Sequence, residues 1–432
     1  MRKTSDPSTG AMSHKPSDSF LIGAAGVPVS LLGPLDAPRF ESVFEELREN
    51  GFNVFFPTFI TREAEGEVRS SAHEAYFWPT ESGKRSRCAD EHSPYKAARG
   101  KLKIVVPAYV FLSAEQWSGE LDQKELRARL TRFKDECLRG DPSVIAGFQN
   151  FDEPANAVLT KALFPDETEP LNLANVHTMK RVLKSVFRDV PVLVVEAPVP
   201  LLLEFDPGAT PYERKAHRVF WTAVRETVDA GDWYGFDVYP VPMTSRLSVV
   251  GEHVRRAREH APGKKILSVL QGFGPMDLGQ GPGRRPTARE TRFMAYDSVI
   301  NGAEGIFWWG QSALDPAADD GLWDAIKATA KEIRSISGLL QFRSIFLASG
   351  SLRIEVLAKQ DEKAVYVFAA NKSTKDEVLS FAIPASPNGK ASYAITDFFT
   401  GVRRSSGKLT PTSHFSSNFE AFGVGVYVIS YD

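Results

Sequence analysis

Asp152 and Glu153 stand side by side in Phe148-Gln149-Asn150-Phe151-Asp152-Glu153-Pro154, directly after the apolar run Val144-Ile145-Ala146-Gly147. That order reads as the end of a buried strand followed by a turn that delivers two carboxylates into a loop. Such a pair costs folding energy unless it is solvated or partnered, so its place in the chain needs a reason. The carboxyl-terminal mouth of a parallel barrel is where loops carry chemistry. Two other apolar runs also end on acids: Val192-Leu193-Val194-Val195-Glu196 and Trp233-Tyr234-Gly235-Phe236-Asp237-Val238-Tyr239-Pro240. Two carboxyl groups in different roles are what cleavage of a glycosidic bond requires.

Glu153 is the first candidate for a general acid. Asp152 supplies like charge, and Phe148 and Phe151 supply partial desolvation, both of which raise a carboxyl pKa. The competing reading is a plain Asp-Glu-Pro helix start. Asp237 is the preferred second carboxylate and Glu196 the next. A turn cap would explain Asp237 otherwise, and a buried pair with an arginine would explain Glu196. Trp308 and Trp309 end an apolar run. Strand side chains alternate, so one should face the mouth, as a platform for a sugar ring, and the other the helix layer. Tyr76, Phe77 and Trp78 lie in a long loop and fit either a cleft wall or ordinary loop packing. Arg284-Arg285, in a Gly-rich stretch, reads as a solvated, flexible loop.

These residues need a frame to hold them. Apolar, strand-like runs fall near 20–25, 52–57, 102–109, 144–149, 190–196, 233–239, 265–271 and 305–310. Each is apolar on both faces, as parallel strands covered by helices are. Helical stripes lie between them, such as Phe40, Val43, Phe44 and Leu47, or Val176, Met179, Leu183 and Val186. Eight strand–helix alternations define an α/β protein, a (β/α)8 TIM barrel over residues 20–344. No Gly-rich phosphate loop follows the first strand, which argues against a doubly wound open sheet. Beyond about residue 345 the pattern becomes short alternating strands separated by Pro-Asn-Gly and Ser-Gly turns. That predicts a small antiparallel β-sandwich over 345–432. Residues 1–19 are polar and are expected to be disordered.

The chain resembles the clan-A type of glycoside hydrolases, on Phe151-Asp152-Glu153-Pro154 after strand four, Lys264–Phe273, and Thr287–Tyr296 leading into Gly302–Gly310. The likeness covers about residues 20–430. It implies an acid/base Glu at position 153 and O-glycosyl hydrolysis of an oligo- or polysaccharide. It also implies a nucleophilic Glu at the end of strand seven, where this chain has Gln271. An amide cannot form a glycosyl ester as a carboxylate does, so the double-displacement assignment does not carry over. Three readings stay open. Asp237 or Glu196 could supply the second carboxylate. Alternatively, the adjacent Asp152-Glu153 pair resembles substrate-assisted N-acetylhexosaminidases, with Asp152 orienting an acetamido group and Tyr239 bonding its oxygen. Finally, the fold could bind carbohydrate without cleaving it. Tyr239, Gln271, Trp308, Trp309 and Trp78 are the candidate substrate contacts.

Composition narrows the partners. Hydrophobic content of 42% and charged content of 25% are ordinary for a globular protein. A net charge of −2 gives no concentrated basic field for nucleic acid. No apolar run reaches 18 residues, so no membrane span is expected. Nothing calls for a cofactor, and Cys88-Ala89-Asp90-Glu91-His92 lacks a second ligand pair at metal spacing. Cys137 shares a helix face with Leu126, Leu130 and Phe133, whereas Cys88 lies in a polar stretch, so the two are expected to be unbridged. The first residues lack the apolar core of a signal peptide. That leaves a cytoplasmic protein, or a secreted or periplasmic one that has lost its signal. Oligomeric state is not encoded in any feature of the sequence.

Overall fold

A computed structural model describes residues 19–58, 60–62, 68–70, 73, 76–79, 86–112, 116, 119–163, 172–198, 210–314 and 321–432. The expected disorder of the first residues concerns positions outside that set, apart from Ser19. The chain divides into two compact units, Asp18–Lys331 and Glu332–Asp432.

The first unit is a closed barrel of eight parallel strands. In chain order they are β1 (Leu21–Ala25), β2 (Val54–Phe56), β3 (Lys103–Pro107), β4 (Ile145–Asp152), β5 (Val192–Glu196), β6 (Trp233–Val238), β7 (Lys265–Gln271) and β8 (Gly305–Trp309). Each strand pairs with its sequence neighbours, and β1 closes on β8. The barrel interior is a packed apolar core that includes Leu21, Val54, Val105, Leu193, Leu267 and Phe307. Gly23 is required there, because a Cβ at that position would sit 2.1 Å from the Phe307 ring. The helices around the barrel bury the predicted stripes. In α1 (Phe40–Glu49), Phe40, Val43, Phe44 and Leu47 face inward. The helix at Leu173–Val186 does the same with Val176, Met179 and Leu183, joined by Val182, while Val186 is half-buried.

The second unit contains strands β9 (Arg343–Ile345), β10 (Ile354–Gln360), β11 (Ala364–Asn371), β12 (Glu377–Ala382), β13 (Ser392–Asp397), β14 (Arg403–Lys408), β15 (His414–Phe419) and β16 (Val424–Tyr431). Six form an antiparallel sheet in the order β9-β10-β11-β16-β13-β14, and β12 pairs with β15. Leu379, Phe381, Phe415 and Phe419 of the pair share one core with Val365, Val367, Ile395 and Ile429 of the larger sheet. The predicted sandwich is therefore present. The sequence reading did not resolve β9, β15 or β14, Arg-Arg-Ser-Ser-Gly-Lys. The last is a mostly exposed edge strand with no apolar alternation to betray it.

One expectation is corrected. Cys88 and Cys137 are joined in a disulfide, with Cα atoms 5.0 Å apart. Cys137 caps the helix Gln123–Glu136, as its apolar spacing implied. Cys88 is fully buried rather than set in an open loop. It lies in the 3-10 turn Arg87–Ala89, which docks on the end of that helix. Ser86 Oγ donates to Glu136 Oε2 at 2.5 Å, and Arg139 Nη2 donates to Ala89 O at 3.3 Å. Arg87 and Glu91 of this segment are exposed, so its polarity reports on their side chains and not on Cys88 between them. Closing a 49-residue separation restricts the unfolded chain by about 4 kcal/mol in the chain-entropy description.

Candidate active site

A cavity of about 170 Å³ opens at the carboxyl ends of the barrel strands. Its floor is apolar, with Leu193, Val195, Leu267, Val269 and Phe307. Its polar lining is Thr58, Tyr109, Gln149, Asp152, Glu153, Asp237 and Tyr239, and Trp309 forms part of the wall. Three carboxyl groups therefore share one space, and no lysine, arginine or histidine lines it among the described residues.

A bulge in β4 makes this possible. Gln149 pairs with Leu193 and Asp152 with Val195, so three steps along β4 match two along β5. In a regular strand, residues three apart face opposite sides; the extra residue turns both Gln149 and Asp152 toward the mouth. Asn150 satisfies the disrupted backbone. Its Nδ2 donates to Val176 O at 2.9 Å and Ala230 O at 3.0 Å, and its Oδ1 accepts from Phe151 N at 3.0 Å. Glu153 follows with φ 46°, a left-handed conformation uncommon for a residue with a side chain and frequent at functional positions. Its N–H donates to Val195 O at 3.0 Å, and its carbonyl accepts from Asn156 N at 3.0 Å as the helix α2 (Pro154–Leu163) begins. Glu153 thus opens a helix and lines the cavity at once.

Electrostatics pull the three carboxyls the same way. Burial, then the charges of Glu153 and Asp152, raise Asp237 well above the usual carboxylate range. Its Oδ2 accepts from Tyr239 Oη at 3.2 Å, while the buried Oδ1 has no donor. Glu153 is raised by burial, against a 3.0 Å hydrogen bond from Asn156 Nδ2. Asp152 stays exposed at the strand end, but protein crowds its carboxyl. Desolvation first, then the Glu153 charge, push it up to about 7 despite a 2.7 Å bond from Gln149 Nε2, and water at its open side tempers that shift. A group of this kind holds protons near neutral pH, which general acid catalysis needs.

The other sequence candidates are placed elsewhere. Glu196 faces the helix layer, because Leu193 and Val195 occupy the inward positions of β5. It is fully buried and caps α2: Oε2 accepts from Ala155 N at 2.7 Å, and Oε1 accepts from Tyr234 Oη at 2.9 Å and Thr227 Oγ1 at 3.2 Å. Burial pushes it up to about 8. Trp308 faces the helix layer against Phe52, so Trp309 is the inward member of the pair. Trp309 stacks on Tyr239 with centroids 5.6 Å apart and planes at 16°. Trp78 packs edge-on to Phe111 and does not line the cavity. Tyr76 and Phe77 are buried. Gln271 is 1% exposed and spends its amide on neighbouring backbone. Arg284 pairs with Glu290 at 2.6 Å and the buried Arg285 with Asp277 at 2.7 Å, so the stretch expected to be a loose loop is pinned. Gln149 and Tyr109 were missed by the sequence reading; Gln149 faces inward in register with Leu193, and the bulge after it, invisible in composition, brings Asp152 to the same side.

The placement of Glu196 has a measurable consequence. Its folded pKa lies above the unfolded value of about 4.3, so the folded state keeps a proton that the unfolded chain loses. Stability is then greatest below about pH 4 and falls as pH rises toward 8, by up to about 1.4 kcal/mol per unit for this group. Glu196→Gln should flatten that decline in melting temperature and leave the pH–rate profile in place. An unaltered stability profile with abolished turnover would return Glu196 to the reacting groups.

Among the described residues, no cluster of three or more His, Cys, Asp or Glu is arranged to hold a metal ion, and no helix is long and apolar enough to cross a membrane. No protein-family model matches the chain. No curated protein matches it in sequence. The fold, a parallel (β/α)8 barrel followed by an antiparallel sandwich, is shared with solved glycoside hydrolases. A family 5 glycoside hydrolase from Bacteroides vulgatus superposes with a TM-score of 0.56 at 11% identity, over 95% of this chain and 89% of that one. An Anoxybacillus alpha-amylase gives 0.54 at 12% identity, over 96% and 98%. An alpha-amylase from Geobacillus thermoleovorans, complexed with acarbose, gives 0.53 at 12% identity, over 97% and 100%.

Proposed function

We propose that this protein is a glycoside hydrolase that cleaves O-glycosidic bonds of an oligo- or polysaccharide, with Glu153 as general acid and Asp237 as the second carboxyl group. The observation that carries this reading is the meeting of Asp152, Glu153 and Asp237 in one cavity with a Tyr239–Trp309 stack. Glu153 protonates the leaving oxygen; Asp237 acts from β6 as base or nucleophile; Asp152, held by Gln149, adjusts the charge of both. The aromatic stack offers an apolar face to a sugar ring. The acarbose complex of the Geobacillus amylase is compatible with this reading through the shared fold alone. The Cys88–Cys137 bridge fits an oxidising compartment, so we place the protein outside the cytoplasm.

A cavity lined by carboxyls and, among the described residues, by no cation disfavours an anionic sugar. The test is release of reducing ends from a panel of neutral polysaccharides and matched uronic-acid polymers, at pH 5 to 8. Neutral glycans should be cleaved and uronides resisted. A protein inert toward every glycan in the panel would sink the enzymatic reading, and preferential cleavage of uronides would sink the site assignment.

A further inference from the structure

Gln271 ends β7, and its amide is fully used. Oε1 accepts from Val241 N at 2.9 Å, while Nε2 donates to Val241 O at 2.6 Å and to Phe273 O at 3.0 Å. One acceptor and two donors are demanded, and among side chains of this length only an uncharged amide supplies them. Val241 follows β6 and Phe273 follows β7, so one side chain ties the two segments together. Both partners are buried, which leaves no water to replace a lost bond.

Tyr239 hangs on this clamp. It lies two residues before Val241, and its ring meets Phe273 edge-on at 5.1 Å and stacks on Trp309. Phe273 meets Trp309 edge-on at 5.3 Å. Gly310, at φ 90°, lets Phe273 sit there, because a Cβ at that position would come within 2.4 Å of its ring. Gly272 N donates to Trp309 O at 2.8 Å and joins the segment after β7 to the end of β8. The aromatic trio then holds the Tyr239 hydroxyl on Asp237 Oδ2, at 3.2 Å.

We propose that Gln271 is a positioning residue, whose amide locks the segments after β6 and β7 together and so keeps Tyr239 hydrogen-bonded to Asp237. The kinetic part of this proposal rests on the glycoside hydrolase reading; the geometric part does not. The charged and titratable groups that face Asp237 are Asp152 and Glu153 from β4 and Tyr239 beside it. Loosening the clamp withdraws the donor and leaves the two acids, so ionising Asp237 becomes harder. A glutamate at this place would set its carboxylate against the Val241 and Phe273 carbonyl oxygens, so it would break the clamp rather than supply a working nucleophile.

The experiment follows the Asp237 carboxyl by NMR in protein labelled with 13C at aspartate carboxyls, assigned with Asp237→Asn. The variants are Gln271→Met, which is close in shape and should fold, Gln271→Glu, Tyr239→Phe, and Gln271→Met combined with Tyr239→Phe. The Asp237 midpoint should move up by about one pH unit in Gln271→Met and equally in Tyr239→Phe, with no further shift in the double variant, because both act through one hydrogen bond. Leu379→Ala, in the sandwich core, controls for general loss of stability and should leave the midpoint in place. On a cleaved glycan, kcat should fall about tenfold in Gln271→Met with KM little changed and the pH profile displaced upward. An unmoved midpoint in Gln271→Met, additive shifts in the double variant, or a Gln271→Glu variant faster than the parent overturns the proposal. Should the parent cleave nothing, the functional reading fails, and the carboxyl titration still decides the role of Gln271.

Discussion

Glu153→Gln should lower turnover of an unactivated glycosidic bond by about 10²- to 10⁴-fold, the range supplied by a positioned general acid. The substitution keeps the shape and loses the proton. Its setting accounts for the expectation: Glu153 sits at φ 46° after a bulged strand, and burial raises its carboxyl. Replacing it should not unfold the protein, since a desolvated carboxyl is removed and Asn156 retains an amide oxygen to bond. Melting temperature at pH 8 should be unchanged or higher. Substrates with very good leaving groups need little acid assistance, so the deficit should shrink on an activated aryl glycoside. Retention of near-parental rate on the natural linkage would remove Glu153 from the chemistry. An equal loss on both substrates would assign it to binding instead.

The barrel was legible because parallel strands covered on both faces leave continuous apolar runs, and eight of them recur with helical stripes between. The acidic strand ends were legible too, as Asp152-Glu153 and Asp237. What separates Asp237 from Glu196 is parity along the strand. Leu193 and Val195 lie inward, so Glu196 must lie outward, and an apolar run gives no hint of that parity when both faces are buried. The same ambiguity hid which of Trp308 and Trp309 faced the mouth. At β4 parity itself fails, since the bulge lets Gln149 and Asp152 share a side. The Cys88–Cys137 bridge was hidden for another reason. It depends on a polar segment docking far from its sequence neighbours, and local composition reports exposure rather than docking. Gln271 looked like a missing nucleophile because its partners, Val241 and Phe273, are backbone groups that any sequence would offer.

Asp237→Asn should cost more than any other single change in the cavity, about 10⁴-fold in kcat, the scale seen when an essential carboxylate is removed from a catalytic group. Asp237 is the only acid of the cavity contributed by a strand other than β4 among the described residues. Without it, Asp152 and Glu153 have no carboxyl partner across the mouth. Azide should rescue the variant in either role. As nucleophile or as the base that activates water, Asp237 serves the face opposite the leaving group, so azide gives a glycosyl azide of inverted configuration. The parent's own product separates the roles: its anomeric configuration is retained if Asp237 is the nucleophile and inverted if it is the base. The variant also carries a stability signature whose sign is fixed by the raised pKa of the parent residue. The folded parent keeps a proton on Asp237 to a higher pH than its unfolded chain, which gives it up above about pH 4, so the parent loses stability as pH rises toward the folded value, beyond which the carboxylate is free to act as base or nucleophile. Asparagine has no proton to lose. The variant should therefore gain in melting temperature relative to the parent between pH 5 and pH 8, while its activity falls at every pH. A variant that is slower but loses stability with pH as steeply as the parent would show that Asp237 is not the desolvated acid described here. One that is as fast as the parent would move the second catalytic role to Asp152.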